Sequence, residues 1–171
     1  MSEKTLFLGI DPGAAGGFAL LDAHGRFVAG DKWRDGVRTL RGLAPYAPRV
    51  ARCHLERVNL FPRQAKGFIT QMQSLLVSAG RWQQILEFLH VPYELIHPQT
   101  WQVAFGLYHW QSRRAKVRGT TGKLEGFALT PWDLAARLWP EAGIKGQGQS
   151  GMAVGLLLAE HARGQHEGPL L

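Results

Sequence analysis

The sequence predicts a mixed α/β fold in a single domain. Its first apolar segments are short and separated by turns, as in antiparallel strands, and its later strands alternate with helical segments. The chain has 171 residues, of which 45% are apolar and 19% are charged, a composition typical of one globular domain with its own core. We expect this domain to span residues 1–163 and a flexible tail to follow at 164–171.

The first half of the chain predicts a three-stranded antiparallel meander. An apolar run at 6–10 ends in the turn Asp11-Pro12-Gly13, and two further apolar runs, at 18–21 and 27–29, flank the turn Asp22-Ala23-His24-Gly25. The spacing of apolar residues over 37–44 indicates a short helix, which Pro45 ends.

The second half predicts strands that alternate with helices. Residues 51–56 alternate as a strand, with Arg52, His54 and Glu56 on one face. A long helix is expected at 66–89 with its apolar residues directed mostly to the core, then a strand at 92–96 and a helix from Pro98. Two helices complete the domain, at 130–139 with Thr130 as N-cap and at 151–162. Together these segments form a five-stranded mixed sheet flanked by helices.

The charge balance favours a polyanionic partner. Twenty Lys and Arg residues against 13 Asp and Glu give a net charge of +7 and a pI near 10.1. Nucleic acid is favoured over a membrane, because no apolar run is long enough to span a bilayer. The polar start does not have the pattern of a signal peptide, so we expect a cytoplasmic protein. Cys53 is the single cysteine and reads as a small core residue.

Two carboxylates stand at predicted strand ends. Asp11 follows the run at 6–10, and Glu56 ends the strand at 51–56. Mg²⁺ prefers hard oxygen ligands, and phosphodiester cleavage commonly uses two such ions about 3.5–4 Å apart. Asp11 and Glu56 are therefore candidate catalytic and metal-binding residues. Each also has an ordinary explanation, since Asp before Pro-Gly is common in turns and Glu56 can pair with Arg57.

A basic segment with interleaved aromatic residues indicates contact with DNA. Residues 108–123 combine cations with aromatic side chains, a combination suited to phosphates and unpaired bases. Two further cations lie shortly after Glu56. The alternative is an ordinary solvated loop and a polar helix start. The candidate DNA-binding residues are Arg63, Lys66, Trp110, Arg113, Arg114, Lys116, Arg118 and Lys123.

The order of the motifs resembles the RuvC-like Holliday junction resolvases, particularly the compact versions found in phages. The resemblance rests on Gly9-Ile10-Asp11-Pro12-Gly13, His54-Leu55-Glu56-Arg57-Val58, Pro98-Gln99-Thr100-Trp101, Leu138-Trp139-Pro140 and the last helix, and so spans nearly the whole chain. It implies a ribonuclease H-like fold, a homodimer and Mg²⁺-dependent nicking of four-way DNA junctions. The first two metal ligands of the family map onto Asp11 and Glu56.

The chain departs from the family where the remaining ligands are expected. The family places acidic residues near the start of the last helix, but residues 147–155 contain no carboxylate. By register, Val154 replaces the most important of them, and Ser150 or Gly151 replaces its neighbour. Gln102 also stands where the family often has a lysine. We expect weak or single-ion Mg²⁺ binding and weak or lost cleavage.

Three classes of function stay open from the sequence. The first is an active junction-resolving endonuclease that acts in recombination. The second is a nuclease-impaired protein that binds branched DNA as an accessory factor. The third is a phosphate-binding ATPase or sugar-kinase-like domain, which also begins with a strand ending in Gly-Ile-Asp. The third is the least favoured, because those proteins need a second lobe for which this chain is too short.

Overall fold

The computed structural model of the protein describes residues 5–13, 15–58, 65–107 and 129–166, without the side chains of 65–69 and 71. It contains a five-stranded sheet with helices on both faces. The strands are β1 Leu6–Asp11, β2 Gly17–Asp22, β3 Phe27–Lys32, β4 Val50–Glu56 and β5 Tyr93–Ile96. The helices are α1 Gly36–Leu43, α2 Ala65–Phe88, α3 Pro98–Ala104, α4 Pro131–Leu138 and α5 Ser150–His166.

The sheet confirms the predicted fold class. Its strand order is β3-β2-β1-β4-β5, in which β1, β2 and β3 form the antiparallel meander and β4 and β5 run parallel to β1. The third strand is longer than expected, since it continues past Ala29 to Lys32 and pairs Lys32 with Gly17. The extension Gly30-Asp31-Lys32 carries no apolar alternation, so backbone pairing with β2 alone makes it a strand.

Each face of the sheet buries its own apolar layer. On one face, Leu8, Ile10 and Phe18 pack with Trp82 and Leu86 of α2. On the other face, α5 packs with α4 and with Trp101 of α3. The apolar face of α2 is narrower than expected, because Leu76 is 46% exposed whereas Trp82 is fully buried.

Helix α5 lies in direct contact with the backbone of the sheet. A methyl group on Gly9 of β1 would collide with the carbonyl oxygen of Gly155 and the amide nitrogen of Ala159. One turn earlier, Gly151 forms a backbone bridge with Gly16. Close packing at this distance requires that both surfaces lack side chains, and the glycines of the strand and of the helix supply that condition.

The ends of the last two helices follow from local contacts. Thr130 caps α4 in a reciprocal capping box with Asp133, which confirms the predicted N-cap. Helix α5 continues to His166, past the domain boundary expected at Arg163, and the His166 ring lies 5.3 Å from that of Phe7. The remainder of the expected tail, 167–171, lies outside the described residues. Within the described ranges, none of the helices has the length and apolar character needed to cross a bilayer.

The glycine contact generates a prediction about stability. We expect Gly9→Ala to destabilise the protein by about 1–3 kcal/mol or more, because the added methyl group meets backbone atoms that have little freedom to move. This loss corresponds to a fall in Tm of about 2–4 °C per kcal/mol for a chain of this size. Thermal and urea unfolding measure it.

Gly80→Ala is the matched control. Gly80 lies inside α2 with open space around the position of a Cβ, so alanine there should stabilise the protein by about 0.5–1 kcal/mol. Equal effects of the two substitutions would contradict the close contact between α5 and β1.

Candidate functional site

The structure brings Asp11 and Glu56 together at one edge of the sheet. The register of the parallel strands β1 and β4 pairs Ile10 with Leu55, so Asp11 and Glu56 stand side by side at the next position. Neighbouring strands lie about 4.8 Å apart, which places the two carboxylates within direct electrostatic reach. They are the last residues of their strands, as the sequence predicted.

Both carboxylates face the side of the sheet that α5 covers. Side chains alternate along a strand, so Asp11 shares the face of Gly9, against which α5 packs. Glu56 shares the face of His54, whose ring contacts His161 of α5. Because contacts along α5 run from Gly155 at Gly9 to Gly151 at Gly16, the first turns of α5 lie at the level of Asp11.

The turn after β1 orients Asp11. Its Oδ1 accepts a hydrogen bond of 3.0 Å from the amide of Gly13, closing the Asp-Pro-Gly turn. The ordinary turn explanation of Asp11 is therefore correct, and it is compatible with a role in the site. The bond occupies one oxygen and leaves Oδ2 for another partner.

Trp101 orients Glu56, a role that the sequence did not reveal. Its indole Nε1 donates a hydrogen bond of 3.0 Å to Glu56 Oε1, and its side chain is only 1% exposed. Helix α3 positions the ring, with Pro98 in its first turn and His97 as N-cap. A buried indole N–H needs a hydrogen-bond acceptor. A tryptophan in this motif therefore indicates that an acceptor lies nearby, but not which residue it is.

The carboxylate pair is not neutralised by a cation in the part of the chain that the structure describes. Neither Asp11 nor Glu56 has a Lys, Arg or His nitrogen within 4 Å there, so the expected alternative of an ion pair between Glu56 and Arg57 is wrong. Burial raises the pKa of Asp11 to about 6, against the opposing hydrogen bond from Gly13. Burial and then the charge of Asp11 raise the pKa of Glu56 to about 8, against the opposing hydrogen bond from Trp101.

The donor set fits one weakly held divalent cation. Two adjacent, partly buried carboxylates that repel one another favour either a proton or a cation, and hard oxygen ligands suit Mg²⁺. Within the described residues, no group of three or more His, Cys, Asp or Glu side chains is placed to hold a metal. Val154, which the sequence resemblance maps to a carboxylate position, packs at the margin of the apolar layer under α5. The described residues therefore do not supply the ligands of a closed two-ion site.

A histidine pair, with His54 buried and His161 partly buried, joins β4 to α5 behind the carboxylates. The Nδ1 atoms of His54 and His161 lie 3.0 Å apart, so one ring donates a hydrogen bond to the other. Burial, with the charges of His161 and Arg52, lowers the pKa of His54 to about 3, and burial also lowers the pKa of His161. Both rings are neutral near pH 7, which identifies the pair as a structural link and not as a proton donor.

The residues expected to contact DNA remain predictions. Seven of them, Arg63, Trp110, Arg113, Arg114, Lys116, Arg118 and Lys123, lie outside the described residues. The backbone of Lys66 lies in the first turn of α2, but its side chain is not among the parts of the chain that the structure describes.

The raised pKa of Glu56 predicts how stability depends on pH. The folded protein retains a proton on Glu56 that the unfolded chain releases, so the associated stability is present below pH 4.5 and is lost as the pH rises through about 8. Glu56→Gln removes this loss and can still accept the bond from Trp101. We expect the Tm of the variant to exceed that of wild type at about pH 8.5 and the gain to shrink towards about pH 5.

Glu141→Gln, at an exposed position, is the control for the change of charge. Thermal unfolding across this pH range, in the presence of chelator, measures the effect. If the difference in Tm between Glu56→Gln and wild type does not change with pH, the raised pKa of Glu56 is contradicted.

Comparisons with known proteins agree with the architecture. No protein-family model matches the chain, and no curated protein matches it in sequence. Among solved structures, it is similar to RuvC of T. thermophilus in complex with Holliday junction substrate, with 16% identity and a TM-score of 0.53 over 96% of this chain and 97% of that chain. A second Thermus thermophilus RuvC structure has 14% identity, a TM-score of 0.49 and the same coverage. The chain therefore has the ribonuclease H-like fold of RuvC along nearly its whole length.

Proposed function

We propose that this protein binds branched DNA and cleaves four-way junctions only slowly, with Mg²⁺ held by Asp11 and Glu56. The observation that carries the proposal is the pair of partly buried carboxylates, side by side at the ends of β1 and β4, that has no cation partner among the described residues. Such a pair destabilises the empty protein, so its arrangement is explained by a positively charged ligand.

Two further observations support DNA as the partner. The structurally similar RuvC was solved in complex with a Holliday junction substrate, and the similarity covers nearly all of both chains. The net charge of +7 also favours a polyanion. The basic and aromatic residues at 108–123 are the proposed junction contacts, together with Arg63 and Lys66.

Each described residue of the proposed metal site has a distinct role. Asp11 and Glu56 would hold the cation, which when bound polarises a phosphodiester and lowers the pKa of water. The Gly13 amide fixes the rotation of the Asp11 carboxylate. Trp101 fixes Glu56 and keeps water away from one side of its carboxylate.

The start of α5 explains why the proposed cleavage is slow. The first turns of α5 lie at the level of Asp11 but present Gly151 and Val154, which carry no ligand atom in their side chains. Two negative ligands do not balance the charge of two divalent ions, so the route in which one ion activates the attacking oxygen and another stabilises the leaving oxygen is disfavoured.

Binding to junctions tests the proposed function directly. We expect a labelled four-way junction to bind more tightly than a duplex of the same sequence. If about 6–10 phosphates are engaged, affinity should fall by roughly 10³–10⁵ between about 50 and 200 mM salt. Fluorescence anisotropy with unlabelled competitors measures both effects. Equal affinity for junction and duplex, or an affinity independent of salt, would overturn the proposal.

We also propose that the active form is a homodimer, since a four-way junction has approximate two-fold symmetry and presents two equivalent strands for cleavage. Helix α2 offers the surface, because Leu76 and Val77 are 46% and 52% exposed. Analytical ultracentrifugation should give twice the monomer mass at micromolar concentration, and Leu76→Glu should shift the protein towards monomer. A wild-type monomer, with and without junction, would contradict the dimer.

Restoring a carboxylate on α5 should strengthen cleavage. We expect Val154→Asp to raise the rate of Mg²⁺-dependent junction cleavage above a slow wild-type rate, because Asp adds a hard oxygen ligand and a negative charge. Without Mg²⁺ the variant should be less stable than wild type, because the three carboxylates repel one another, and Mg²⁺ should restore its Tm.

Val154→Asn is the control of similar size without the charge, and Asp11→Asn should remove cleavage while DNA binding persists. Rapid cleavage by wild type that Val154→Asp leaves unchanged would show that another residue supplies the third ligand.

A further inference from the structure

The edge of the sheet that carries Asp11 also carries a lysine that the sequence did not single out. Asp11 pairs with Gly17 across β1 and β2, and Gly17 pairs with Lys32 across β2 and β3. Directly paired residues of antiparallel strands project to the same face, so Lys32 and Asp11 share a face. Two strand spacings separate their Cα atoms by about 10 Å.

Lys32 opens onto a groove between β3 and the start of α5. The groove has a volume of about 450 Å³, within the range of about 300–1,000 Å³ typical of small-ligand pockets. Phe27 and Met152 give it an apolar floor, and Lys32 and Gln149 place polar side chains around that floor. Asp31 also lines the groove, but its pairing with Phe18 directs its carboxylate to the opposite face of the sheet. This combination of a cation beside an apolar floor suits a nucleotide, which has a charged phosphate and a flat base.

Some polar groups of the groove already form hydrogen bonds or ion pairs within the protein, and others are available to a ligand. The Asp31 carboxylate accepts bonds of 2.8 Å from both Arg34 Nε and the Lys32 amide. Gln149 Oε1 accepts from the Lys145 amide at 2.6 Å, which leaves its amide nitrogen as a donor. The Lys32 ammonium has no carboxylate within 4 Å in the described ranges, and it is exposed.

A second cavity, on the opposite face of β3, shares Asp31 and Lys32 with the groove but differs from it in size and in its other cations. It is smaller, with a volume of about 190 Å³, and the arginines that line it are paired with carboxylates. Arg34 pairs with Asp31 at 2.8 Å and Arg38 with Asp35 at 3.3 Å. Lys32 lines both spaces, but its pairing with Gly17 directs its side chain to the face that α5 covers, so the larger groove is the one that its ammonium faces.

We infer that the groove between β3 and α5 binds one nucleotide of the DNA strand that passes Asp11 and Glu56, with Lys32 on its phosphate and its base against Phe27 and Met152. The inference rests on the proposed function and adds the direction in which the bound DNA strand crosses the sheet. The strand runs along the edge of the sheet from β4 across β1 towards β3. The Gln149 amide nitrogen donates to the base, which makes this residue a determinant of base preference.

The salt dependence of junction binding tests the contact with Lys32. One lost phosphate contact lowers the slope of log affinity against log salt by about 0.9. When salt rises from about 50 to 200 mM, the factor by which affinity falls should therefore be about threefold smaller for Lys32→Ala than for wild type. Lys32→Arg should retain the wild-type slope. Arg41→Ala removes the same charge from an exposed position on α1, on the opposite face of the sheet, and should also retain it.

Filling the groove tests the contact with the base. Gly148 lines the groove and has open space at the position of a Cβ, so Gly148→Leu can fold and occupy the site. We expect it to weaken junction binding about fivefold or more, the contribution of one stacked base. Gly42→Leu fills the smaller cavity on the opposite face and should leave affinity unchanged. A 2-aminopurine next to the cleaved phosphate should be quenched by wild type and not by Gly148→Leu.

The outcomes separate the groove from the proposed function. If wild type binds the junction but Lys32→Ala keeps the full slope and Gly148→Leu keeps full affinity, the groove is not a nucleotide site and the proposed function stands. If wild type binds no DNA, both are overturned. A reduced slope in Lys32→Ala, with a matched loss in Gly148→Leu, supports the groove.

Discussion

The contact between the backbone of α5 and the backbone of β1 and β2 is the constraint on which the rest of the structure depends. Side chains at Gly9, Gly151 or Gly155 would separate the helix from the sheet and its adjoining turn. Because they are absent, the first turns of α5 reach the level of Asp11, and His161 reaches His54. The same approach forms one wall of the groove beside Lys32. Packing, burial of the carboxylates and the proposed DNA path thus share one cause.

Burial at this contact sets the chemistry of the site. Removing Asp11 and Glu56 from water disfavours their charged forms, and their proximity adds repulsion. Among the described residues, one indole N–H and one backbone amide donate to the pair, and they do not offset that cost. A bound cation does offset it, which is why we interpret the pair as a metal site. In the proposed site, Val154 adds no charge to the two that Asp11 and Glu56 supply, and a two-ion mechanism requires more.

Much of the fold could be predicted from the sequence, because local patterns encode it. Apolar runs and turn residues defined the meander, and Thr130 defined the start of α4. The end of β3 could not be predicted, because Gly30, Asp31 and Lys32 are held by pairing with β2 and carry no pattern of their own. The position of Lys32, two strands from Asp11 on the same face, follows only from the register of the sheet and could not be predicted.

The candidate site was predicted in part for a similar reason. Asp11 and Glu56 are visible in the sequence because both end recognisable strands. The hydrogen bond from Trp101 to Glu56 joins residues 45 positions apart, and no local sequence pattern predicts it. The basic residues at 108–123 stay a prediction from composition, since charge alone indicates a partner but does not place a side chain.

Binding of Mn²⁺ is the measurement that tests the central claim most directly, because it reports on the carboxylate pair without requiring DNA or cleavage. Electron paramagnetic resonance of free Mn²⁺, titrated into the protein near pH 8, counts the bound ions and gives their affinity. We predict one weakly bound ion per chain in wild type and none in Asp11→Asn. No binding to wild type, or two tightly bound ions, would contradict the account.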